Sequence, residues 1–225
     1  MQTDPAPKKS STRGFSLLEL LIAMTIMLIL LGIVSLLISR AFSVRTRESQ
    51  RTDALTSAQA ALNVISREIA NSGFGIHAGS DRRRGSNGIV VADSNAARIR
   101  VRSNVVNRGV AGDTSSTALR TDQPGEDVTY FYDATTSSIV RYDPNDTPQS
   151  SVVVNRISDV RFEYFNYTGI NSTGVLTVNP TADTGRVRIR VMVKLDPVHG
   201  QANPQDVQFT TEVTLRNSNY MLNQY

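Results

Sequence analysis

The sequence contains no cysteine among its 225 residues. A disulfide framework, a thiolate nucleophile and a cysteine-ligated zinc site are therefore excluded. Histidine is scarce as well, because only His77 and His199 could supply an imidazole. Neither lies at a recognisable motif distance from a serine or an acid. The sequence thus indicates no catalytic residue, no metal ligand and no cofactor, and it favours a protein that is not an enzyme.

The chain also has little net charge, +4 in total. Residues 1–14 contain three cations, Lys8, Lys9 and Arg13, against Asp4, and so contribute half of that charge. A chain that begins at Phe15 therefore keeps a net charge of only +2. Net charge therefore gives no reason to predict a nucleic-acid partner.

One long hydrophobic run, Phe15–Ile38, contains a single ionisable residue, Glu19. At about 1.5 Å per residue, a helix over this run is roughly 36 Å long, enough to cross a hydrocarbon core of about 30 Å. A secretory signal is the alternative, with Ser39-Arg40-Ala41 as its cleavage site. The run is longer than the roughly 7 to 15 apolar residues of such a signal, and it carries an acid near its start. We therefore expect a membrane-spanning helix.

The basic residues Lys8, Lys9 and Arg13 precede the run and favour a cytoplasmic N-terminus, with the rest of the chain on the far side. This bias is weakened by arginines that follow the run, namely Arg40, Arg45 and Arg47.

The segment Lys8-Lys9-Ser-Ser-Thr-Arg13-Gly14-Phe15-Ser16-Leu17-Leu18-Glu19 resembles the processing site of type IV prepilins. The likeness consists of a basic leader that ends in glycine, then phenylalanine, then glutamate at the fifth mature position. It implies that a prepilin peptidase cuts between Gly14 and Phe15 and methylates the new amine of Phe15. It also implies insertion in the inner membrane, with the remainder of the chain in the periplasm before the subunit joins a surface pilus.

The carboxylate of Glu19 is unfavourable in a membrane segment, and a cationic partner gained on assembly would relieve this cost. A carboxylate within a membrane segment costs on the order of 2.5 to 3.5 kcal/mol on insertion scales and normally pairs with a cation. The resemblance implies that this cation is the Phe15 amine of a neighbouring subunit. The alternative is a glutamate that is favoured by the helix dipole and reaches the headgroups.

Beyond the apolar run the helical period continues, and no proline occurs between Pro7 and Pro124. Apolar residues follow one another at intervals of three and four: Leu55, Ala58, Leu62, Ile65 and Ile69. Asn71-Ser72-Gly73 is a stop signal. We predict one helix from Phe15 to Asn71 whose second half packs on a sheet. A coiled coil is the alternative, but it requires more heptads than the two that are clear here.

From Gly88 onward a period of two predicts antiparallel strands. They are Ile89–Ala92, Arg98–Arg102, Val128–Tyr132, Ile139–Tyr142, Val152–Val154, Val160–Phe165, Val175–Val178, Val187–Leu195 and Val207–Leu215. A long helix followed by an antiparallel sheet is an α+β plan, and it is also the plan of type IV pilins. The predicted organisation is a cleaved leader (1–14), a transmembrane or filament-core half-helix (15–38), an amphipathic half-helix (39–72) and a β-rich pilin domain (73–225).

Three further segments, Leu62–Gly75, Phe162-Glu163-Tyr164 and 213–217, are similar to PilW-type minor pilins. The resemblance implies a minor pilin that primes or joins a type IV pilus. Its partners would be other major and minor pilins and the inner-membrane assembly platform. The lack of cysteine also departs from major pilins, whose C-terminal loop is often closed by a disulfide. A type II secretion pseudopilin of the J class, a DNA-binding competence pilin and a single-pass binding module stay open as alternatives.

Two other patterns have a functional and a structural interpretation. Rows of arginine, at 98, 100 and 102, at 186, 188 and 190, and at 82–84, could bind DNA. Alternating arginine and valine is also typical of the solvated face of a half-buried sheet, with acids such as Glu163 and Glu212 across from the arginines. Asp143-Pro144-Asn145-Asp146 could offer oxygen atoms to calcium but lacks the spacing of an EF-hand loop. We expect a solvated face and a turn, respectively.

Overall fold

A computed structural model of the chain describes residues 14–76, 86–106, 121–169, 172–195 and 206–224. These residues form a long helix, α1 (Leu17–Ala70), a 3-10 helix (Val91–Asp93), eight strands and a short final helix, α2 (Asn219–Leu222). The chain divides between Glu48 and Ser49 into two compact units. The first unit contains the apolar part of α1. The second contains the rest of α1 together with the strands and α2.

The predicted helix is confirmed to within two residues at its start and one at its end, since α1 comprises Leu17–Ala70. It ends where the stop signal lies, because Gly73 has a φ of +77°, the left-handed conformation that glycine adopts readily. Glycine is also needed there for space: a Cβ on Gly73 would lie 1.7 Å from the carbonyl oxygen of Ser86. The last carbonyl of α1, that of Ala70, accepts a hydrogen bond from the backbone N–H of Arg216 at 3.1 Å.

The first sheet is an antiparallel meander of β1 (Arg98–Arg102), β2 (Asp127–Asp133), β3 (Ser138–Tyr142) and β4 (Ser150–Val154). Ile99 pairs with Tyr130 and Val101 with Val128, and all four side chains are buried. Their alternation with arginine and threonine gives the sheet one buried face and one solvated face.

The predicted strand Ile89–Ala92 is wrong. Ile89 forms an isolated bridge to Val101, and the backbone N–H of Val90 donates to the carbonyl of Arg100 at 2.9 Å. Pairing then stops, because residues Val91–Asp93 turn into the 3-10 helix. That turn places the Asp93 carboxylate on the guanidinium of Arg100, a contact that an extended continuation would lose.

The second sheet has the strand order β6-β5-β7-β8. Its strands are β5 (Ile157–Asn166), β6 (Val175–Thr177), β7 (Thr184–Lys194) and β8 (Asp206–Thr214). Sequence analysis predicted one antiparallel sheet, whereas the strands form two. The division falls at Arg156, whose φ of +60° turns the chain between β4 and β5. The carbonyl of Arg156 accepts from the N–H of Lys194, so β5 is directed to β7.

Both sheets contribute their apolar faces to one core that also contains the second half of α1. Ala58, Leu62, Ile65 and Ile69 of the helix are buried, as predicted, and Leu55 is half-buried. They share the core with alternate residues of the strands, among them Ile99, Tyr130, Ile139, Phe162, Val187, Ile189, Val191, Val213 and Leu215. The fold expected from the sequence, a long helix packed on antiparallel sheet, is confirmed.

Candidate functional site

The start of α1 is stabilised by Ser16. Its hydroxyl oxygen accepts a hydrogen bond from the N–H of Leu18 at 3.3 Å, and its carbonyl accepts from the N–H of Leu20 at 3.1 Å. A serine in this position satisfies amide groups that the first turn leaves unpaired. Sequence analysis assigned Ser16 no role, although a serine three residues before Glu19 is the pattern of a helix start.

The predicted cleavage position lies immediately before this turn. Gly14 and Phe15 precede the helix, Phe15 is 79% exposed, and a Cβ on Gly14 would meet no atom within 4 Å. No described residue therefore covers this pair. The other predicted leader residues, Lys8, Lys9 and Arg13, lie outside the described residues.

Glu19 lies in the first turn of α1 and its side chain is exposed. Its position there suits a negative charge, because the N-terminus of a helix carries a partial positive charge. Among the residues that the structure describes, no cation forms an ion pair with it.

The remainder of the first unit is a helix that is long and apolar enough to cross a membrane. The side chains from Leu17 to Ile38 are all exposed, so the first unit itself covers none of this apolar surface. The polar atom of Thr25 is satisfied inside the helix, since its hydroxyl donates to the carbonyl of Ile22 at 2.8 Å. This bond lowers the cost of placing threonine in an apolar environment.

In the second unit, a polar cluster ties α1 to the first sheet. The Tyr130 hydroxyl donates to Glu68 of α1 at 2.6 Å, and Arg141 lies 3.2 Å from the same carboxylate oxygen. Burial and the neighbouring Glu68 charge raise the pKa of Tyr130 well above its ordinary value, so the phenol stays a donor. Glu68 is not part of the apolar stripe predicted from the sequence, and spacing along the helix gives no signal for a contact that joins residues 62 positions apart.

A second tie involves Asn87, the second described residue after the gap at 77–85. The Ser72 hydroxyl donates to the carbonyl of Asn87 at 2.6 Å. The Asn87 amide in turn donates to the carbonyls of Thr181 and Thr184, at 2.9 and 3.1 Å. The end of α1 is in this way joined to the start of β7.

Glu126 is the third buried polar group that holds the second unit together. Its carboxylate, in a residue that is 1% exposed, accepts from the backbone N–H groups of Val105, Val106 and Gln123 at 2.7, 2.8 and 3.2 Å. Backbone donors of this kind stabilise a buried negative charge. The sequence gives no signal for such a bond, because it depends on chain segments that only the fold brings together.

The arginine row of β1 is paired with acids. Arg100 binds Asp127 through two hydrogen bonds of 2.7 Å, and the Nε of Arg102 reaches the same carboxylate at 2.9 Å. Burial acts to raise the pKa of Asp127, but the hydrogen bond from Arg100 and the charge of Arg102 outweigh it and hold that pKa below its ordinary value.

The arginine row of β7 is paired as well. Arg188 lies 2.6 Å from Glu212 of β8 and 3.4 Å from Glu163 of β5, and Arg190 lies 3.0 Å from Glu163. The expectation that Glu163 and Glu212 lie across from the arginines is confirmed. Both rows are charge-compensated sheet faces. The predicted basic cluster at residues 82–84 lies outside the described residues, as do His77 and His199.

The segment Asp143–Asp146 is a turn, as expected. The buried Asp143 carboxylate accepts from the N–H of Gly125 at 2.6 Å and from the N–H of Asn145 at 2.9 Å. The Asn145 amide donates to the carbonyl of Thr121 at 3.0 Å. These oxygen atoms serve the turn and its neighbouring loop.

In a comparison with protein families, residues 9–35 match the model described as the prokaryotic N-terminal methylation motif. The matched residues include the predicted cleavage position and most of the apolar part of α1. Comparisons with curated proteins and with solved structures give no significant match. The motif is the N-terminal segment of type IV pilins and pseudopilins, which are structural subunits processed by a prepilin peptidase and anchored by this helix.

Proposed function

We propose that this chain, which carries the N-terminal segment of the type IV pilin and pseudopilin family, is a minor pilin that primes or joins a type IV pilus. The observation that carries the proposal is the position of Glu19. It is an exposed carboxylate in the first turn of an apolar helix, five residues after Gly14 and without a cation partner among the described residues.

In this proposal the precursor spans the inner membrane with its second unit in the periplasm. Prepilin peptidase cuts the exposed bond between Gly14 and Phe15 and methylates the new amine. Lys8, Lys9 and Arg13 hold the leader on the cytoplasmic side. The divisions after residues 14, 38 and 72 then separate the leader, the filament-core half of α1, its amphipathic half and the β-rich body.

Cleavage creates the cation that Glu19 needs. The Phe15 amine exists only after the leader is removed, and a buried pair of opposite charges is favourable where a lone buried charge is not. Pairing between the Phe15 amine of one subunit and Glu19 of the next therefore favours processed over unprocessed chains in the filament. The partners are other major and minor pilins and the assembly platform of the inner membrane.

The assignment as a minor pilin, similar to PilW-type proteins, is supported by the absence of cysteine, because a disulfide cannot close the C-terminal loop. The body is held instead by the contacts of Glu68, Asn87 and Glu126 described above. These contacts need no oxidising compartment to form.

The test is to express a tagged chain in its native host and in strains that lack either the pilus assembly platform or the type II secretion platform. The proposal predicts that the chain appears in sheared surface filaments and that only loss of the pilus platform removes it. Dependence on the secretion platform alone would instead identify a J-class pseudopilin. Loss of DNA uptake with normal piliation, in a strain that lacks this chain, would identify a competence pilin. Each of these two results contradicts the proposal.

A further inference from the structure

A cluster of arginines directly follows the apolar part of α1. Four arginines, Arg40, Arg45, Arg47 and Arg51, and one acid, Glu48, are the ionisable residues between Ile38 and Thr52, which gives this stretch of helix a net charge of +3. Arg40 and Arg45 are exposed, and within the described residues neither forms an ion pair with a carboxylate. A concentrated positive charge thus lies on the helix directly after its apolar segment.

The distances along the helix place this charge at the depth of lipid headgroups. Arg40 is two residues beyond Ile38 and Arg45 is seven, which corresponds to about 3 and 10 Å along the axis. The headgroup layer on each side of a hydrocarbon core is about 5 to 7 Å thick. An arginine side chain can extend back along the helix, so both guanidinium groups can reach the phosphate layer.

Apolar side chains lie among these arginines and suit the same environment. Phe42 is 62% exposed and Val44 is 60% exposed, so the first unit covers neither of them. An aromatic ring next to cationic side chains is typical of a helix at a membrane interface. The six-residue stretch Arg40–Arg45 therefore offers an apolar contact and two cations.

The arginines also oppose the orientation that we propose for the helix. Positive charge on the far side of a spanning helix weakens the bias set by Lys8, Lys9 and Arg13. An anionic lipid surface on the far side would offset this effect, since each arginine near such a surface gains binding free energy.

We infer that Arg40 and Arg45, which lie on different faces of the helix about one turn and a half apart and are accompanied by the exposed ring of Phe42, bind the headgroups of anionic phospholipids on the periplasmic surface of the membrane. The inference rests on the membrane anchoring proposed above. Charge complementarity selects this occupant, because anionic headgroups match the two exposed cations and the acyl boundary matches the exposed ring of Phe42. The lipid contact holds the unassembled subunit at a fixed depth, and extraction into a filament must break it.

The sequence offers a clean reporter because it contains no tryptophan. In the variant Phe42→Trp, the only indole lies two residues after Arg40 and three before Arg45 along the helix. The full-length variant is reconstituted in vesicles in which either the anionic phosphatidylglycerol or the zwitterionic phosphatidylcholine is brominated, at the same mole fraction of quencher. Quenching by both lipids reports insertion, and stronger quenching by the anionic lipid reports enrichment at the site.

We expect the anionic lipid to be enriched around the indole of the Phe42→Trp variant relative to the zwitterionic lipid, by up to about fivefold for each arginine at the surface. It should fall towards parity in 1 M salt, where the screening length is about 3 Å. Arg40→Gln combined with Arg45→Gln should abolish the enrichment, whereas Arg40→Lys combined with Arg45→Lys should retain it. Arg67→Gln combined with Lys194→Gln removes two exposed cations elsewhere in the chain and should have no effect.

Several outcomes would overturn the inference. Equal quenching by the two lipids would leave the anchoring intact but remove the headgroup site. Loss of enrichment on addition of inorganic phosphate at constant ionic strength would identify a site for a free anion instead. An absence of quenching by either lipid would contradict the anchoring itself, and with it the proposed function.

Discussion

The Tyr130 hydroxyl donates a hydrogen bond to Glu68 at 2.6 Å and so joins the last turns of α1 to the second strand of the first sheet. Arg141 completes the cluster from β3, at 3.2 Å from the same carboxylate oxygen. A half-buried carboxylate with a phenol and a guanidinium as partners fixes the helix against the sheet at one position along its length. Each partner can be changed by a single substitution.

We expect Tyr130→Phe to lower the free energy of unfolding of the second unit by about 0.5 to 3 kcal/mol. The variant removes one hydrogen bond to a charged group and leaves the ring in the core. Chemical denaturation of a soluble fragment that begins at Ser39 measures the change. Tyr132→Phe, at a partly buried position on the same strand, is the matched control. Equal stability of the Tyr130 variant and the parent would show that the cluster adds nothing.

Leu62 lies in the core with 7% of its surface exposed. Leu62→Ala should lower the stability of the same fragment by about 2 to 5 kcal/mol, because the cavity adds to the lost transfer free energy. Val64→Ala, two residues away at a position 41% exposed, should change it by much less. Similar melting temperatures for the two variants would contradict the packing of this helix face.

The stability of the second unit should fall as the pH is lowered, in part through Asp127. Its pKa is lowered from the ordinary value of 3.8, so its ion pair stabilises the fold above that value and loses this contribution as the pH falls through the lower folded-state pKa. Asp127→Asn should be less stable than the parent at pH 7, by roughly 1 to 3 kcal/mol. The difference should shrink in acid titrations below pH 4. A difference that stays constant down to pH 2 would show that Asp127 makes no such contribution.

The mature chain should begin at Phe15 with a methylated amine. Intact-mass and N-terminal peptide mass spectrometry of protein purified from its host checks both features. Gly14→Ala keeps a small side chain, whereas Gly14→Val adds a branched one at a position where the described structure leaves open space. Cleavage should be impaired more by valine than by alanine if the peptidase requires the small residue. An N-terminus near Ala41 would support a secretory signal instead.

Glu19→Leu should leave membrane insertion and leader cleavage intact and impair incorporation into filaments. The substitution removes the insertion cost of the carboxylate, so weaker assembly could not be ascribed to weaker anchoring. Leader cleavage is followed by gel shift, and incorporation by sheared-filament blots and crosslinks to partner pilins. Glu48→Leu, which also removes an acid from α1, is the control. Normal incorporation of the Glu19 variant would leave Glu19 as a residue that only stabilises the helix start.

Sequence analysis predicted the elements with strong periodicity and failed where contacts are long-range. The helix and the buried stripe from Ala58 to Ile69 follow from local spacing, and so do strands β7 and β8. The exit of the chain into a second sheet at Arg156 does not, because it depends on a backbone conformation that arginine rarely adopts. The same holds for Ile89, where a period of two suggested a strand but the available partner is a single residue of β1.

The bond from the Arg216 amide to the last carbonyl of α1 also concerns the order of events during synthesis. The end of the helix is completed by a residue 146 positions later, and Asn217 adds a bond to the carbonyl of Ser72 at 2.9 Å. The body therefore cannot close at this end before the chain has been synthesised through Arg216. Until then the end of α1 lacks this closing bond, and the part of the core that Val213 and Leu215 fill stays open. In the proposed topology, a subunit arrested before this point exposes that part of the core to chaperones and proteases in the periplasm.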